Sequence, residues 1–458
     1  MSDHTTNQGY LPNDAPPPTK MLILGFQHVI TMFPATVLVA LLVGFDVGTV
    51  LVMSGIATIV SLLTSKKLTG TYIPLYYGSS FSYIAAILAI TSAQFGQYAG
   101  EEVVRLAQVG IAATGLVNIA IGLFIRYAGG KKAIDKVLPP IVTGSVATVI
   151  GIALAKAALD MAAGGWGLAI LTLLATVFFS VFLQNKGFWR FIPILMGTLV
   201  GYAAALYQGI IDFGGVAQAN WFVTPHFTTP DFGHPRAWEA VATIAIIAIA
   251  TIPESTAHLY QISLYVDKLA KETNKKAYKL SNLIGLNLVI DGIGDIINGL
   301  FGGVAGTNYG ENNSLMAITR NYSGPVLLTA GGIAILLGFI GKLSALVGTV
   351  PVAVTGGLAI YLFGVIGMQG IALMIEEKVN LYEPKQLAIG AIIMVLGIGG
   401  HIGFNGNLPI YVLPSMFPAG LPAIPTAAVL GIVMNLFLSD KVMNLQLPKL
   451  APVKRKRK

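Results

Sequence analysis

Long apolar runs recur from one end of this chain to the other, among them Met21 to Gly44, Ile141 to Leu159 and Leu387 to Gly400. A helix needs about 20 apolar residues to cross a ~30 Å hydrocarbon layer, and only helices and closed barrels satisfy their own backbone there. Repeated runs of this length point to an all-α polytopic membrane protein. The balance of 55% hydrophobic to 10% charged residues agrees with that class. So do the 53 glycines, which suit close helix packing and broken helices. With no cysteine, a disulfide frame, a thiolate metal site and Cys-based catalysis are excluded.

Apolar segments fall near 21-44, 46-65, 80-94, 103-125, 137-159, 166-184, 191-209, 237-265, 281-300, 311-321, 324-346, 351-374, 384-402 and 409-438. These are fourteen transmembrane segments, of which 80-94 and 311-321 are too short to cross as one helix. With the N-terminus inside, Lys66-Lys67, Arg126 through Lys136, Lys186, Arg190, Lys268 through Lys279, Arg320, Lys378 and Lys385 all fall inside. Outside loops keep little beyond Arg236 and Lys342. That is the charge bias of cytoplasmic loops, so both termini of this multi-pass cell-membrane protein are expected in the cytoplasm. The net charge of +8 is spread over these loops and forms no nucleic-acid patch. Met1 to Thr19, polar and Pro-rich with no basic n-region, reads as a cytoplasmic tail. Lys454 to Lys458 reads as a flank against anionic lipid.

The second seven segments echo the first. Pro139 to Ala147 (PPIVTGSVA) matches Pro351 to Ala359 (PVAVTGGLA), Tyr77-Gly78 matches Tyr309-Gly310, and Ile192-Pro193 matches Ile424-Pro425. Seven is odd, so two consecutive copies insert in opposite orientations, giving two inverted 7-helix repeats. In such proteins a ligand sits near the midplane between broken helices at matching positions. Spans 3 and 10 are those positions: a short extended segment is expected before each, then a half-helix whose free N–H groups face the centre.

The polar residues collect at the same places. Tyr309-Gly310-Glu311-Asn312-Asn313-Ser314 puts a carboxylate and two amides into a glycine-flanked run at membrane depth, where polar groups mark function. Ser79, Ser80, Tyr309 and Asn312 suit a cavity lining. In span 8, Glu254 and His258 are four apart, so they share a helix face and can exchange a proton. No His-Glu-x-x-His zinc motif and no Gly-x-x-x-x-Gly-Lys nucleotide loop is present, so no metal or other cofactor is expected. Two carboxylates with backbone N–H groups between them suit a small flat ligand with alternating N–H and C=O groups, and Phe81 or Tyr309 can stack on it. Uracil and xanthine have such an edge.

These residues resemble the nucleobase-ascorbate transporter (nucleobase:cation symporter 2) family, most of all its bacterial uracil:proton symporters. The resemblance rests on Gln27-His28, Gly78-Ser-Ser-Phe81, Glu254 with His258, and Glu311-Asn312-x-Ser314-x-x-x-x-Thr319-Arg320, and runs from about Leu22 to Phe437. It implies proton-coupled nucleobase uptake by a homodimer, in which a core domain of spans 1-4 and 8-11 moves against a gate domain of spans 5-7 and 12-14. The corresponding boundaries are a tail at 1-20, core parts at 21-128 and 237-348, gate parts at 129-236 and 349-440, and a basic tail at 441-458. Carried over by position, Glu254 and Glu311 bind the base, Phe81 and Gly310 offer backbone N–H groups, Ala35, Tyr309 and Ser80 line the pocket, and His258 and Glu311 couple the proton. Gln27, His28, Asn312 and Thr319 are implied to support the site. Ser314 departs from the family's usual Gly, which bears on substrate identity, as does Glu311 where purine-type members tend to carry Gln. A purine symporter of the same family and an anion transporter of the same seven-plus-seven fold are the competing readings; a hydrolase lacks a readable nucleophile and base.

Four further features read as structural. Asp291 and Asp295 in span 9 are taken as packing acids, His28 as a hydrogen bond between helices, Lys156 with Asp160 as an interfacial pair, and Arg320 as the cap of a half-helix.

Overall fold

A computed structural model describes residues 9–128, 138–183, 192–412, 414, 417 and 420–438. The C-terminal basic run, Lys186, Arg190 and the stretch from residue 129 through Lys136 lie outside the described residues. The chain is mostly helical among the described residues. Its first stretch holds α1 (Pro18–Val43), α2 (Val47–Thr69), the short strand β1 (Tyr77–Ser79), a 3-10 turn (Phe81–Tyr83) running into α3 (Ile84–Thr91), and α4 (Glu101–Ala128). Then come α5 (Pro140–Ala153), α6 (Ala155–Ala163), α7 (Trp166–Phe182) and α8 (Pro193–Tyr207). The next stretch holds α9 (Ala237–Ile244), α10 (Ala248–Glu272), α11 (Ile284–Phe301), β2 (Gly306–Asn308), α12 (Gly310–Thr319), α13 (Gly324–Gly338) and α14 (Gly341–Gly348). Last are α15 (Val352–Glu376), α16 (Pro384–Met394) and α17 (Ala423–Phe437).

Among the described residues seven helices are long and apolar enough to cross a membrane, and six shorter apolar helices accompany them. Local chemistry sets the breaks. Gly44 stands at φ 73° and Asp46 accepts from the Thr49 N–H at 2.7 Å, so one residue stops α1 and another starts α2. Both copies of the Pro-Thr-Gly motif open a helix, since Pro139 and Pro351 sit at the N-caps of α5 and α15.

Packing divides the elements into two groups. In the first, α2 lies on α13 and α4 on α11, with α1 against α13. Glycines set these contacts: a Cβ at Gly55 would lie 2.5 Å from the Gly331 carbonyl oxygen, and one at Gly115 would lie 2.3 Å from that of Gly292. Gly48 with Gly338, and Gly122 with Gly285, repeat the contact two turns away. Helices in lipid gain nothing from hiding apolar surface from each other, so close backbone approach at small residues is what holds them. In the second group α15 lies on α5, α6 and α7, α7 on α8, and α16 on α17 and α5. Gly144 and Gly370 meet there in the same way.

The two extended segments meet inside the first group as the antiparallel pair β1-β2, buried throughout, in the register Tyr77 with Asn308, Gly78 with Thr307 and Ser79 with Gly306. Backbone bonds from Ser80 N–H to Ala305 O (3.1 Å) and from Tyr309 N–H to Tyr76 O (2.9 Å) close both ends alike. Ser80-Phe81 is therefore the counterpart of Tyr309-Gly310. The sequence match of Tyr77-Gly78 with Tyr309-Gly310 is off by three residues, because the letters recur but the strand-to-helix junction, not the tyrosine, is what the pairing relates.

The N-terminal segment is not a free tail where it is described. Tyr10 donates to Arg320 O (2.9 Å) and accepts from Tyr322 N–H (2.8 Å), Pro12 O accepts from Gly324 N–H (2.9 Å), and Leu11 is buried. Asn13 accepts from Lys66 Nζ at 3.0 Å, and Asp14 pairs with Lys275 at 3.3 Å. This strap brings the loops after α2, α10 and α12 to one face. Arg320, at φ 52°, ends α12 and pairs with Glu272.

Candidate functional site

A cavity of about 360 Å³ opens between the two helix groups, a size that holds a small heterocycle and no polymer. Ser79 to Ser82, Glu254, Ala257, His258 and Thr307 to Glu311 form one wall; the other comes from α5 and one face of α15. Both Glu254 and Glu311 expose their side chains into this space. One comes from the second turn of α10, the other from the first turn of α12. Tyr309 gives no side-chain cap to α12, so first-turn N–H groups of this half-helix remain as donors beside the cavity. On the other side Ser80 accepts from Ser82 N–H at 3.3 Å at the start of the shorter half-helix.

Close approach explains the glycines. A Cβ on Gly310 would fall 2.7 Å from His258 Nε2, and one on Gly78 would fall 2.4 Å from the Tyr309 ring. The imidazole thus sits against the bare backbone at the start of α12, and its Nδ1 has no partner among the described residues. Tyr309 is pinned: its hydroxyl bonds Thr36 Oγ1 (2.9 Å) and Ser79 O (3.0 Å), and its ring stacks on Tyr76 at 6.3 Å. Phe81 meets Phe363 of α15 edge-on at 6.5 Å, an aromatic contact between the two groups.

Behind the wall lie two buried carboxylates. Asp295 accepts from Tyr77 Oη (2.5 Å), Asn118 Nδ2 (2.8 Å) and Gly306 N–H (2.9 Å), which fastens both strands to α4 and α11. Asp291 accepts from Ser255 Oγ, which in turn accepts from Asn287 (2.8 Å) and Asn308 (2.9 Å). Each acid has its hydrogen-bond partners, as burial requires. The half-helix is tied in the same manner: Asn312 donates to His28 Nδ1 (3.1 Å) and His28 O (3.2 Å), and Asn313 to His258 O (3.2 Å).

Of the residues singled out in the sequence, Glu254, Glu311, Phe81, Gly310, Tyr309, Ser80 and His258 line the cavity. Ala35 is buried and does not reach it; the Thr36 hydroxyl next to it holds Tyr309. Gln27, His28, Asn312 and Thr319 also stand off the cavity, and the Thr319 hydroxyl bonds Leu315 O of its own helix. The sequence reading passed over Asn308, Ser255 and the α15 face with Gln369 and Glu376. Gln369 did carry a signal, as an amide in the apolar run 351-374.

A bundle of apolar helices around a polar, heterocycle-sized cavity between two helix groups is the architecture of a membrane permease, and the relatives that match this chain are permeases, transporters rather than enzymes. Residues 19–406 match the family model Xan_ur_permease, described as a permease family, and the chain belongs to the nucleobase-ascorbate transporter family. It is 36% identical over 439 residues to the uracil permease of Bacillus caldolyticus, covering 93% of this chain and 94% of that one. To the uracil permease of Escherichia coli (strain K12) it is 35% identical over 400 residues, 85% of this chain and 86% of that one. Among solved structures, its fold is similar to the transmembrane domain of the cyanobacterial bicarbonate transporter BicA, with a TM-score of 0.53, 13% identity, and coverage of 93% of this chain and 98% of that one. It is also similar to the murine Slc26a9 anion transporter in the inward-facing state, with a TM-score of 0.61, 11% identity, and coverage of 95% and 70%.

Proposed function

We propose that this protein imports a nucleobase, uracil, together with protons by alternating access. The observation that carries the reading is the meeting of Glu254 and Glu311 in one cavity beside an uncapped half-helix. The two carboxylates accept from ring N–H groups, and the backbone N–H groups of Phe81 and Gly310 donate to ring carbonyls. Ser80 and Tyr309 line the site. His258 and Glu311 take up the coupled proton, so that a loaded, protonated core is neutral enough to slide past the gate while an empty charged one is held.

In this reading the chain crosses the membrane fourteen times as two inverted repeats, with both termini cytoplasmic, and works as a homodimer. The first helix group, residues 21-128 with 237-348, is the moving core; the second, 129-236 with 349-440, is the gate. The symmetric antiparallel register of β1 with β2 and the paired glycine contacts of α2-α13 and α4-α11 support the repeat. The cavity reaches Glu376, at the end of α15, and Thr143, one turn into α5. Since α5 follows Arg126 at the end of α4, this is the basic face, and the state is inward-facing.

Uracil permeases among the relatives support the substrate. A purine such as xanthine or urate is the nearest rival, and Glu311 in place of Gln favours uracil. The anion carriers share the fold alone, and two carboxylates in the cavity repel an anion. Purified protein in proteoliposomes is expected to take up labelled uracil with matching alkalinisation outside. Uracil binding with no pH dependence and no proton flux would remove the coupling; absence of uracil uptake would remove the substrate.

A further inference from the structure

Every residue assigned to the base so far stands on one wall. The opposite wall is a single face of α15: Val365 and Ile366, Gln369, Leu373 and Glu376 recur at helical spacing over three turns. Most of that face is aliphatic. Gln369 is the exception at the level of the aliphatic turns, exposed to the cavity and in none of the hydrogen bonds recorded among the described residues. Thr143, the polar residue that α5 offers beside it, has its hydroxyl on Pro140 O of its own first turn at 3.3 Å.

The backbone beside Gln369 is packed closely against α5. The neighbouring Gly370 lies at the crossing of α15 and α5, where a Cβ would come within 2.4 Å of the Gly144 carbonyl oxygen and of Thr148 Oγ1. An amide with two donors and an acceptor, exposed in an otherwise aliphatic wall and without a protein partner among the described residues, is free to bond a ligand in the cavity.

We propose that Gln369 is the substrate-selecting residue of the second helix group: its carboxamide N–H donates to an exocyclic carbonyl of a planar cyclic imide bound by Glu254 and Glu311. This rests on the function proposed above and adds a second donor, from the opposite wall, to one of the two carbonyls that the Phe81 and Gly310 N–H groups already meet. Because Gln369 and the two glutamates belong to different groups, all three bonds exist together only while the groups close on the base. A ring without that carbonyl fails to stabilise closure. Recognition and occlusion are thereby one event, with the difference in affinity expressed in the closed state.

The test pairs side-chain removal with atom replacement in the base. Initial uptake of uracil, 2-thiouracil and 4-thiouracil is measured in proteoliposomes for the wild type, Gln369→Ala and the near-isosteric Gln369→Leu. Sulfur accepts a hydrogen bond poorly, so the wild type is expected to prefer uracil over one thio analogue by at least about threefold in kcat/KM. Both variants are expected to weaken that preference while keeping the preference set at the other carbonyl unchanged. Equal discrimination in wild type and both variants, or no discrimination by the wild type, overturns the assignment. Failure of the wild type to carry uracil at all sinks the functional proposal instead, and the two failures are read from different columns of one experiment.

Discussion

At the scale of single residues, acids at membrane depth have two distinct uses here. Glu311 faces open cavity, whereas Asp295 is enclosed and holds Tyr77, Asn118 and Gly306 at once. Their substitutions are expected to separate. Glu311→Gln keeps the shape and the fold but puts an amide donor where the base needs an acceptor, which costs about 5- to 100-fold in uracil affinity, since a ring N–H left without its acceptor costs roughly 1–3 kcal/mol. Asp295→Ala leaves buried donors unpaired and is expected to lower the unfolding temperature of the detergent-solubilised protein well beyond any effect of Glu311→Gln. Equal thermal stability of the two variants would contradict this division. The sequence located both kinds of acid because charge in an apolar run is conspicuous. It could not tell Ala35 from Thr36, since a position on a helix face is settled only by what the other helices present to it.

At the scale of elements, glycine carries the assembly. The pairs Gly55-Gly331 and Gly115-Gly292 bring backbones to a separation that no side chain allows. Gly331→Leu is expected to push α13 off α2 and to destabilise the protein by a few kcal/mol, in line with overpacked cores, while Gly332→Leu, with open space around it, is expected to be near neutral. Thermal unfolding in detergent checks both. The abundance of glycine was plain in the sequence, but which glycines face a partner was not, because a helix shows the spacing of its residues and not the helix it will meet. The three-residue slip between the Tyr-Gly letters and the true β1-β2 correspondence has the same origin: pairing is decided by hydrogen bonds between segments more than two hundred residues apart.

At the scale of the whole molecule, the cavity exists only as the space between two groups of helices. With no native cysteine, accessibility can be read at a single introduced thiol. Leu373→Cys, on the cavity face of α15, is expected to react with a membrane-impermeant maleimide from the cytoplasmic side, and saturating uracil is expected to slow the reaction several-fold as the groups close. Labelling from the outside alone would reverse the orientation proposed here. The sequence by itself determined the membrane class, the predominance of helix and the polar positions, because each follows from hydropathy, turn chemistry and the rarity of charge in apolar runs, all local along the chain. Only the tertiary structure decided that Glu254, His258 and Glu311 share one wall, that Gln369 stands across from them, and that the N-terminal segment is laced to the end of α12. Those facts depend on how distant helices approach each other, and close approach is fixed by steric fit between surfaces that no local pattern encodes.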